Sequence, residues 1–173
     1  MTYRAPVSEI MFTLREAAGL DRGLAEGLYP DLADGMAEQI LNEATNLAHD
    51  VLDPLNRIGD KEGCRLVDGQ VTTPTGWVEA YRQWQAGGWS GLTAPVEEGG
   101  MGLPQVLDAA CQEVWTSANM AFMLCPLLAS GAIEAVARHG SAQLRRLYLP
   151  KMISGEWTAT MNLTEPQAGS DLS

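Results

Sequence analysis

Few side chains in this sequence have the type and spacing that chemistry requires. His49 and His139 stand alone near expected helix ends, where an imidazole meets backbone carbonyls or solvent, and neither is assigned to a metal. Cys64, Cys111 and Cys125 are odd in number and far apart, with no CxxC and no nearby His. They argue against a disulfide framework and a zinc site and favour a reducing compartment, taken here as the cytoplasm. Ser90 in Gly88-Trp89-Ser90-Gly91-Leu92 lacks the final Gly of a nucleophile elbow. The paired Glu97-Glu98 reads as a solvated loop. Gly99-Gly100-Met101-Gly102-Leu103-Pro104 follows no strand and has neither G-x-G-x-x-G nor a terminal Gly-Lys, so it reads as a tight turn with Pro104 at the first helical position. No carboxylate is placed by a motif as a base; no catalytic residue and no metal ligand is assigned. One segment stands apart from these, the run of residues 155–172 near the C-terminus.

Whatever these residues do, helices must position them. A length of 173 residues suffices for one domain, and 46% hydrophobic against 19% charged residues describes a globular chain. Eleven Lys and Arg against 22 Asp and Glu give a net charge of −11. Such a field repels phosphate backbones and anionic membranes, and the cations cluster only at Arg145-Arg146, so nucleic-acid binding is not expected. The N-terminus lacks the basic-then-apolar pattern of a signal peptide. The most apolar stretch, residues 120–133, is broken by Pro126 and Ser130 and reads as a buried helix, with no membrane span expected.

Periodicity predicts an all-α helical bundle. A first helix covers residues 8–18 with Ser8 as cap, and Gly19, Gly23 and Gly27 punctuate the residues after it, the whole forming an N-terminal appendage. Met36, Ile40, Ala44, Leu47 and Val51 share one face of a second helix that Pro54 should end, with a loop over residues 56–63. A small hairpin is expected around Asp68-Gly69. Thr73 as cap and Pro74 at the first position then open a helix whose stripe of Trp77, Tyr81 and Trp84 reads as core, stopped by Gly87-Gly88. Two helices, about residues 104–124 and 127–139, form the apolar heart. The first buries Leu103, Leu107, Ala110 and Val114, and the second Leu128, Ala132, Ala135 and Val136. Ser141 caps a last helix with Leu144, Leu147 and Tyr148 inward and Pro150 beyond its end.

The C-terminal run, with Thr164-Glu165-Pro166-Gln167-Ala168-Gly169-Ser170-Asp171 at its heart, resembles the signature of the acyl-CoA dehydrogenase family. The likeness extends upstream to Gly88-Trp89-Ser90-Gly91-Leu92, Pro95, Gly99-Gly100-Met101-Gly102, and then Gly140, Leu149-Pro150-Lys151-Met152 and Gly155, in the family's order and spacing. Residues 3–12 are similar to the extra N-terminal segment of the larger members. The resemblance implies an N-terminal extension over residues 1–30, the N-terminal α-helical domain over 31–160, and the start of the FAD-binding signature over 161–173.

For function, the resemblance implies α,β-dehydrogenation of an acyl-CoA thioester, with electrons passed to an electron-transfer flavoprotein or similar acceptor. Met161, Leu163, Thr164, Gly169 and Ser170 are then the FAD-contacting positions, and Ser170 also touches substrate. The assignment makes physical sense. A strand-like backbone through residues 161–164 can meet the alternating donors and acceptors of a flavin's edge, and Thr164 adds a hydroxyl. Gly169 lets the chain approach a pyrophosphate, Ser170 can donate to phosphate or thioester, and Pro166 stiffens the turn between them. Met161 replaces an aromatic residue common in the family, which leaves the backbone contact rather than ring stacking. By the same analogy Met123, Leu124 and Leu127 line an apolar acyl slot.

The family's β-domain and its C-terminal helical domain, which carries the base, are not found within this sequence, so the 173 residues read as an inactive N-terminal piece. The charge points the same way, since FAD and CoA are polyanions and a net −11 cannot hold them without cations from elsewhere. The parent is expected to be a homo-oligomer. Two other readings fit the same residues: an oxidase or monooxygenase sibling on this fold, and a non-catalytic helical interaction module.

Overall fold

Four helical turns of small and apolar residues create the centre of the molecule. In the computed structural model, which describes residues 3–160 and 162–171, Leu41, Ala44, Ala48 and Leu52 lie along one face and are fully buried. Two alanines in that row let another helix come close, and the one that does presents Leu107, Cys111, Val114, Trp115 and Ala118. The elements run α1 (Val7–Phe12), α2 (Leu20–Ala25), α3 (Met36–Leu47), α4 (Asp53–Glu62), β1 (Arg65–Val67), β2 (Gln70–Thr72), α5 (Trp77–Ala86), α6 (Gln105–His139) and α7 (Ala142–Ile153). The structure is 64% helical, the all-α bundle expected. Helix α6 packs on α3 and α4 on one side and on α7 on the other. Ile133, Leu149, Met152 and Ile153 build a smaller second core there.

Several boundaries differ from the sequence reading, each for a physical reason. Ser8 lies inside α1 and caps nothing; Pro6 stands at the cap position. Gly23 lies inside α2 rather than ending it, because a Cβ there would collide with the ring of Tyr29. Ile10, Met11, Leu14 and Leu20 pack into the main core. Pro54 does not end the α3 helix. A π turn at Ala48–Leu52 intervenes, with the Asp53 N–H reaching back to the Ala48 carbonyl. The widened turn lets α4 continue with Pro54 in its first turn, where a missing N–H is harmless, so the expected loop over 56–63 is largely helix.

The hairpin is as expected. Arg65 pairs with Thr72, Leu66 with Val71 and Val67 with Gln70. Asp68 (φ 50°) and Gly69 (φ 77°) take the two left-handed positions that a two-residue turn demands. Thr73 is not a cap; α5 begins three residues after Pro74, behind Gly76, and ends at Gly87-Gly88 as read. Trp84 is buried and Trp77 and Tyr81 half-buried, all three grouped on Phe122. In the connection to α6 a Cβ at Gly100 would strike the Ala94 carbonyl, so this stretch is a turn whose two strands touch. Pro104 caps α6 from outside instead of opening it. Glu98 is not a solvated loop residue, since Arg145 of α7 holds its Oε1 through Nε at 3.1 Å and an Nη at 3.0 Å.

The break in the apolar heart falls at Asn119 (φ −156°, ψ 86°), not between residues 124 and 127, and Pro126 is carried inside the helix. The first half buries Leu107, Ala110 and Val114 as expected, with Leu103 just ahead of it. The second is rotated: Met123, Pro126, Ala129 and Ile133 face inward, Ala132 and Val136 are partly covered, and Leu128 and Ala135 are exposed. Ser141 does cap α7, accepting the Leu144 N–H at 3.3 Å. Pro150 lies inside that helix, and Leu149, Met152 and Ile153 point in while Leu144, Leu147 and Tyr148 are exposed. By length and composition α6 could cross a membrane, but in this fold its first half is the core of the bundle.

Burial also separates the thiols. Desolvation, and secondarily the Asp108 charge, pushes the Cys111 thiol up to about 12, and burial raises Cys125 as well. Cys64 and Cys125 are exposed and Cys111 is buried. A thiol reagent at pH 8 is therefore expected to modify two cysteines in the native chain and the third only after unfolding, counted by mass spectrometry. Because the Cys111 thiol ionises near 9.0 when unfolded and near 12 when folded, its contribution to stability is intact below the first value and lost as pH rises towards the second.

Candidate functional site

The signature segment leaves the bundle at a fixed point. Gly155, with φ 74°, follows the end of α7, and its carbonyl accepts from Tyr81 Oη at 3.0 Å and from Gln85 Nε2 at 2.7 Å. Tyr81 and Gln85 are one helical turn apart, so a single face of α5 grips the exit. Trp157 rests near Tyr148, with ring centroids 6.0 Å apart, under the Lys151 ammonium at 4.6 Å, and its N–H donates to the Lys151 carbonyl. Ala159 packs against the second core.

Beyond Thr160 the chain opens outward. Glu165 and Ala168 exchange backbone hydrogen bonds at 3.0 and 3.1 Å, closing a tight turn with Pro166 at its second position, where its fixed φ is favoured. Gln167 Nε2 donates to Glu165 Oε2 at 2.6 Å across that turn. On either side stand the expected cofactor positions. Leu163 is 61% exposed, and Thr164, Gly169 and Ser170 are exposed too. Asn162, Leu163 and Thr164 make no backbone hydrogen bond among the described residues, so their amides and carbonyls are available to a ligand edge. A Cβ built on Gly169 meets no atom within 4 Å. Met161 lies outside the described residues.

The three apolar positions of α6 divide. Met123 is 3% exposed, while Leu124 and Leu127 are 52% and 46% exposed. Met123 and Leu127 line one small cavity, which Asp108, Gln112 and Trp115 reach from the first half of the same helix; Leu124 is not on it. Burial raises the Asp108 carboxyl above its ordinary value, and the hydrogen bond from Gln112 partly offsets this. A wider apolar groove of about 510 Å³ lies around Trp77, Tyr81 and Phe122. Among the described residues no three His, Cys, Asp or Glu side chains gather as a metal site. The sequence reading missed Tyr81 and Gln85 as the residues that fix the exit. Their four-residue spacing on α5 was visible, but their partner is a backbone carbonyl 70 or more residues away.

A helical bundle that releases this signature from its last helix defines a class. The family profile for the acyl-CoA dehydrogenase N-terminal domain matches residues 37–156, and the chain belongs to that family. Over all 173 residues it is 46% identical to a 3-methylmercaptopropionyl-CoA dehydrogenase of Ruegeria pomeroyi, covering 100% of this chain and 29% of that protein. It is 32% identical to a butyryl-CoA dehydrogenase of Syntrophomonas wolfei over 98% of this chain and 28% of the relative. A broad-specificity linear acyl-CoA dehydrogenase of Mycobacterium tuberculosis is 27% identical, again over 98% of this chain and 28% of its own length. These relatives are oxidoreductases, and the chain spans less than a third of each.

Proposed function

We propose that this chain is the N-terminal part of an FAD-dependent acyl-CoA dehydrogenase that introduces an α,β double bond into an acyl-CoA thioester. The observation that carries the reading is the signature turn displayed at the exit of the family's helical domain, with its backbone open and Gly169 facing free space. Those residues fit the cofactor. The backbone at 162–164, without hydrogen bonds among the described residues, offers donors and acceptors to a flat heteroaromatic edge, Thr164 and Ser170 offer hydroxyls, and Gly169 leaves room for a pyrophosphate. Met161 joins this set by its position in the signature.

Bound FAD supplies the two-electron acceptor for the dehydrogenation. The chain's own residues bind and orient: Ser170 donates its hydroxyl to phosphate or to the thioester ligand, and Met123, Leu124 and Leu127 present apolar surface to the acyl group. The catalytic carboxylate and the cations that neutralise FAD and CoA come from the rest of the protein, as does the surface that meets an electron-transfer flavoprotein or similar acceptor.

Accordingly, the 173-residue chain alone is expected to purify without a flavin absorbance band and to show no FAD titration in the micromolar range, whereas the full-length protein is yellow and reduces an acceptor dye with acyl-CoA. A yellow isolated chain overturns the claim that it holds FAD weakly. Gly169→Ala separates binding from folding. It should change the stability of the isolated chain by less than about 0.5 kcal/mol, because the new methyl group meets open space. In the full-length protein it should lower flavin occupancy about tenfold or more, through a close approach that a methyl group prevents.

A further inference from the structure

The N-terminal helical stretch meets the first half of α6 at a groove rather than a sealed contact. α1 runs on through a helical turn at Thr13–Ala17, together roughly three turns. Glu9, Ile10 and Leu14 recur along it at helical spacing, and Val106, Ala109 and Glu113 do so along α6; between these two walls runs a groove of about 370 Å³. Ile10, Leu14 and Ala110 are buried and make an apolar floor. Alanine at 18, 109 and 110, where larger side chains would fill the space, leaves the groove open. Glu9 and Glu113 stand on opposite walls, both exposed, and neither makes an ion pair among the described residues. Arg15, the one cation on this helical stretch, turns instead to Asp21 and Glu38.

We propose that this groove docks an amphipathic helix of a partner protein, one that carries an aliphatic stripe flanked on both sides by Lys or Arg. Two helical walls over an apolar floor form the cradle in which a third helix seats its apolar face, and the small residues let its backbone come close. The walls choose the flanks of that helix. A carboxylate on each side, in a chain of net charge −11, attracts cations from either edge and repels an acidic helix. A second copy of this chain is disfavoured for the same reason, since a symmetric contact through this face would set the Glu9 and Glu113 carboxylates of the two copies against each other. Anionic lipid and nucleic acid meet the same repulsion. The groove shares no residue with the cavity at Met123 and Leu127, so the inference stands apart from the dehydrogenase reading.

The test uses the full-length protein and a fluorescein-labelled synthetic helix with Leu along one stripe and Lys on both flanks, beside a matched peptide with Glu in place of Lys. Binding is read by fluorescence anisotropy at low salt. The Lys peptide is expected to bind about tenfold or more tightly than the Glu peptide. Ala109→Trp fills the groove from an exposed position and should weaken that binding about tenfold or more. Glu9→Gln combined with Glu113→Gln should weaken it about three- to tenfold. Glu26→Gln combined with Glu43→Gln removes the same charge from exposed positions outside the groove and should change it less than about twofold. Binding of neither peptide, equal binding of both, or binding that Ala109→Trp leaves unchanged overturns the inference. A dimer in solution that Ala109→Trp dissociates also overturns it and gives the groove to a second copy. Binding by the 173-residue chain but not by the full-length protein overturns it as well and gives the groove to the rest of the protein.

Discussion

Replacing Trp115 by alanine should cost the isolated chain about 3–5 kcal/mol of folding stability, a loss measurable as an earlier urea midpoint with an unchanged slope. The ring is 1% exposed and sits where α3, α5 and α6 converge. It makes edge-to-face contacts with Trp84 and Trp89, and its Nε1 hydrogen goes to the Ala44 carbonyl at 3.0 Å. Alanine removes the apolar area, both aromatic contacts and the hydrogen bond together, and the two remaining indoles are too rigid to refill the space. Trp115→Phe keeps a ring and loses the N–H, so about 1–2 kcal/mol is expected. For a domain whose total stability is on the order of 5–15 kcal/mol, the alanine variant approaches the unfolding threshold. A loss below about 1.5 kcal/mol would mean that the three indoles do not pack as described.

Asn119→Ala should rank next, at about 2–4 kcal/mol. Asn119 is fully buried and does two things at the break in α6. Its Oδ1 accepts the Phe122 N–H at 3.0 Å, capping the second half of the helix, and its Nδ2 donates to the Leu52 carbonyl at 3.1 Å, tying that break to the π turn. Alanine leaves the buried Phe122 N–H unpaired, with the cap gone, and takes from the Leu52 carbonyl the donor that reaches it from α6. Asn119→Asp is the sharper probe. It keeps the cap acceptor but turns a second oxygen towards the Leu52 carbonyl, so at neutral pH it should destabilise at least as much. Burial raises the pKa of such a carboxyl, and its protonated form can donate to Leu52. The deficit relative to the unaltered chain should therefore shrink as pH falls through the raised value and return as pH rises. A deficit independent of pH would show that the Leu52 bond contributes little.

How much of this was legible in the sequence depended on whether the deciding partner was local. The row Leu103, Leu107, Ala110 and Val114 is buried as its spacing predicts, and Asp68-Gly69 turns the hairpin, because helical phase and left-handed turn chemistry are written in adjacent residues. Pro54 was misread, and the break at Asn119 was missed, because their effects are settled elsewhere. The π turn before Pro54 absorbs its missing N–H, and the Leu52 carbonyl, 67 residues from Asn119, completes the side chain's bonding there. Once the break moved to Asn119, the second half of α6 rotated, and Leu128 and Ala135 came to the outside. In α7 the apolar residues Leu144, Leu147, Tyr148, Leu149, Met152 and Ile153 surround most of the helix, so periodicity could not choose the inner face. The signature itself was legible because Thr164, Gly169 and Ser170 occupy a contiguous pattern. Its grip by Tyr81 and Gln85 was not, since nothing near them in the chain names Gly155 as their partner.

The bond from Trp115 to Ala44 spans 71 residues and the one from Asn119 to Leu52 spans 67, and both join the first half of the chain to the centre of α6. During synthesis, then, α3 and the π turn emerge from the ribosome with Leu41 and Leu52 uncovered and no partner yet made. At roughly 5–20 residues per second that interval lasts on the order of 4–14 seconds. Closing a contact of this span also carries a loop-entropy cost that local helix formation does not offset. The nascent domain must therefore pass through an open stage that ends only when α6 is translated, and slowing translation ahead of α6 would lengthen its exposure to proteases and to aggregation.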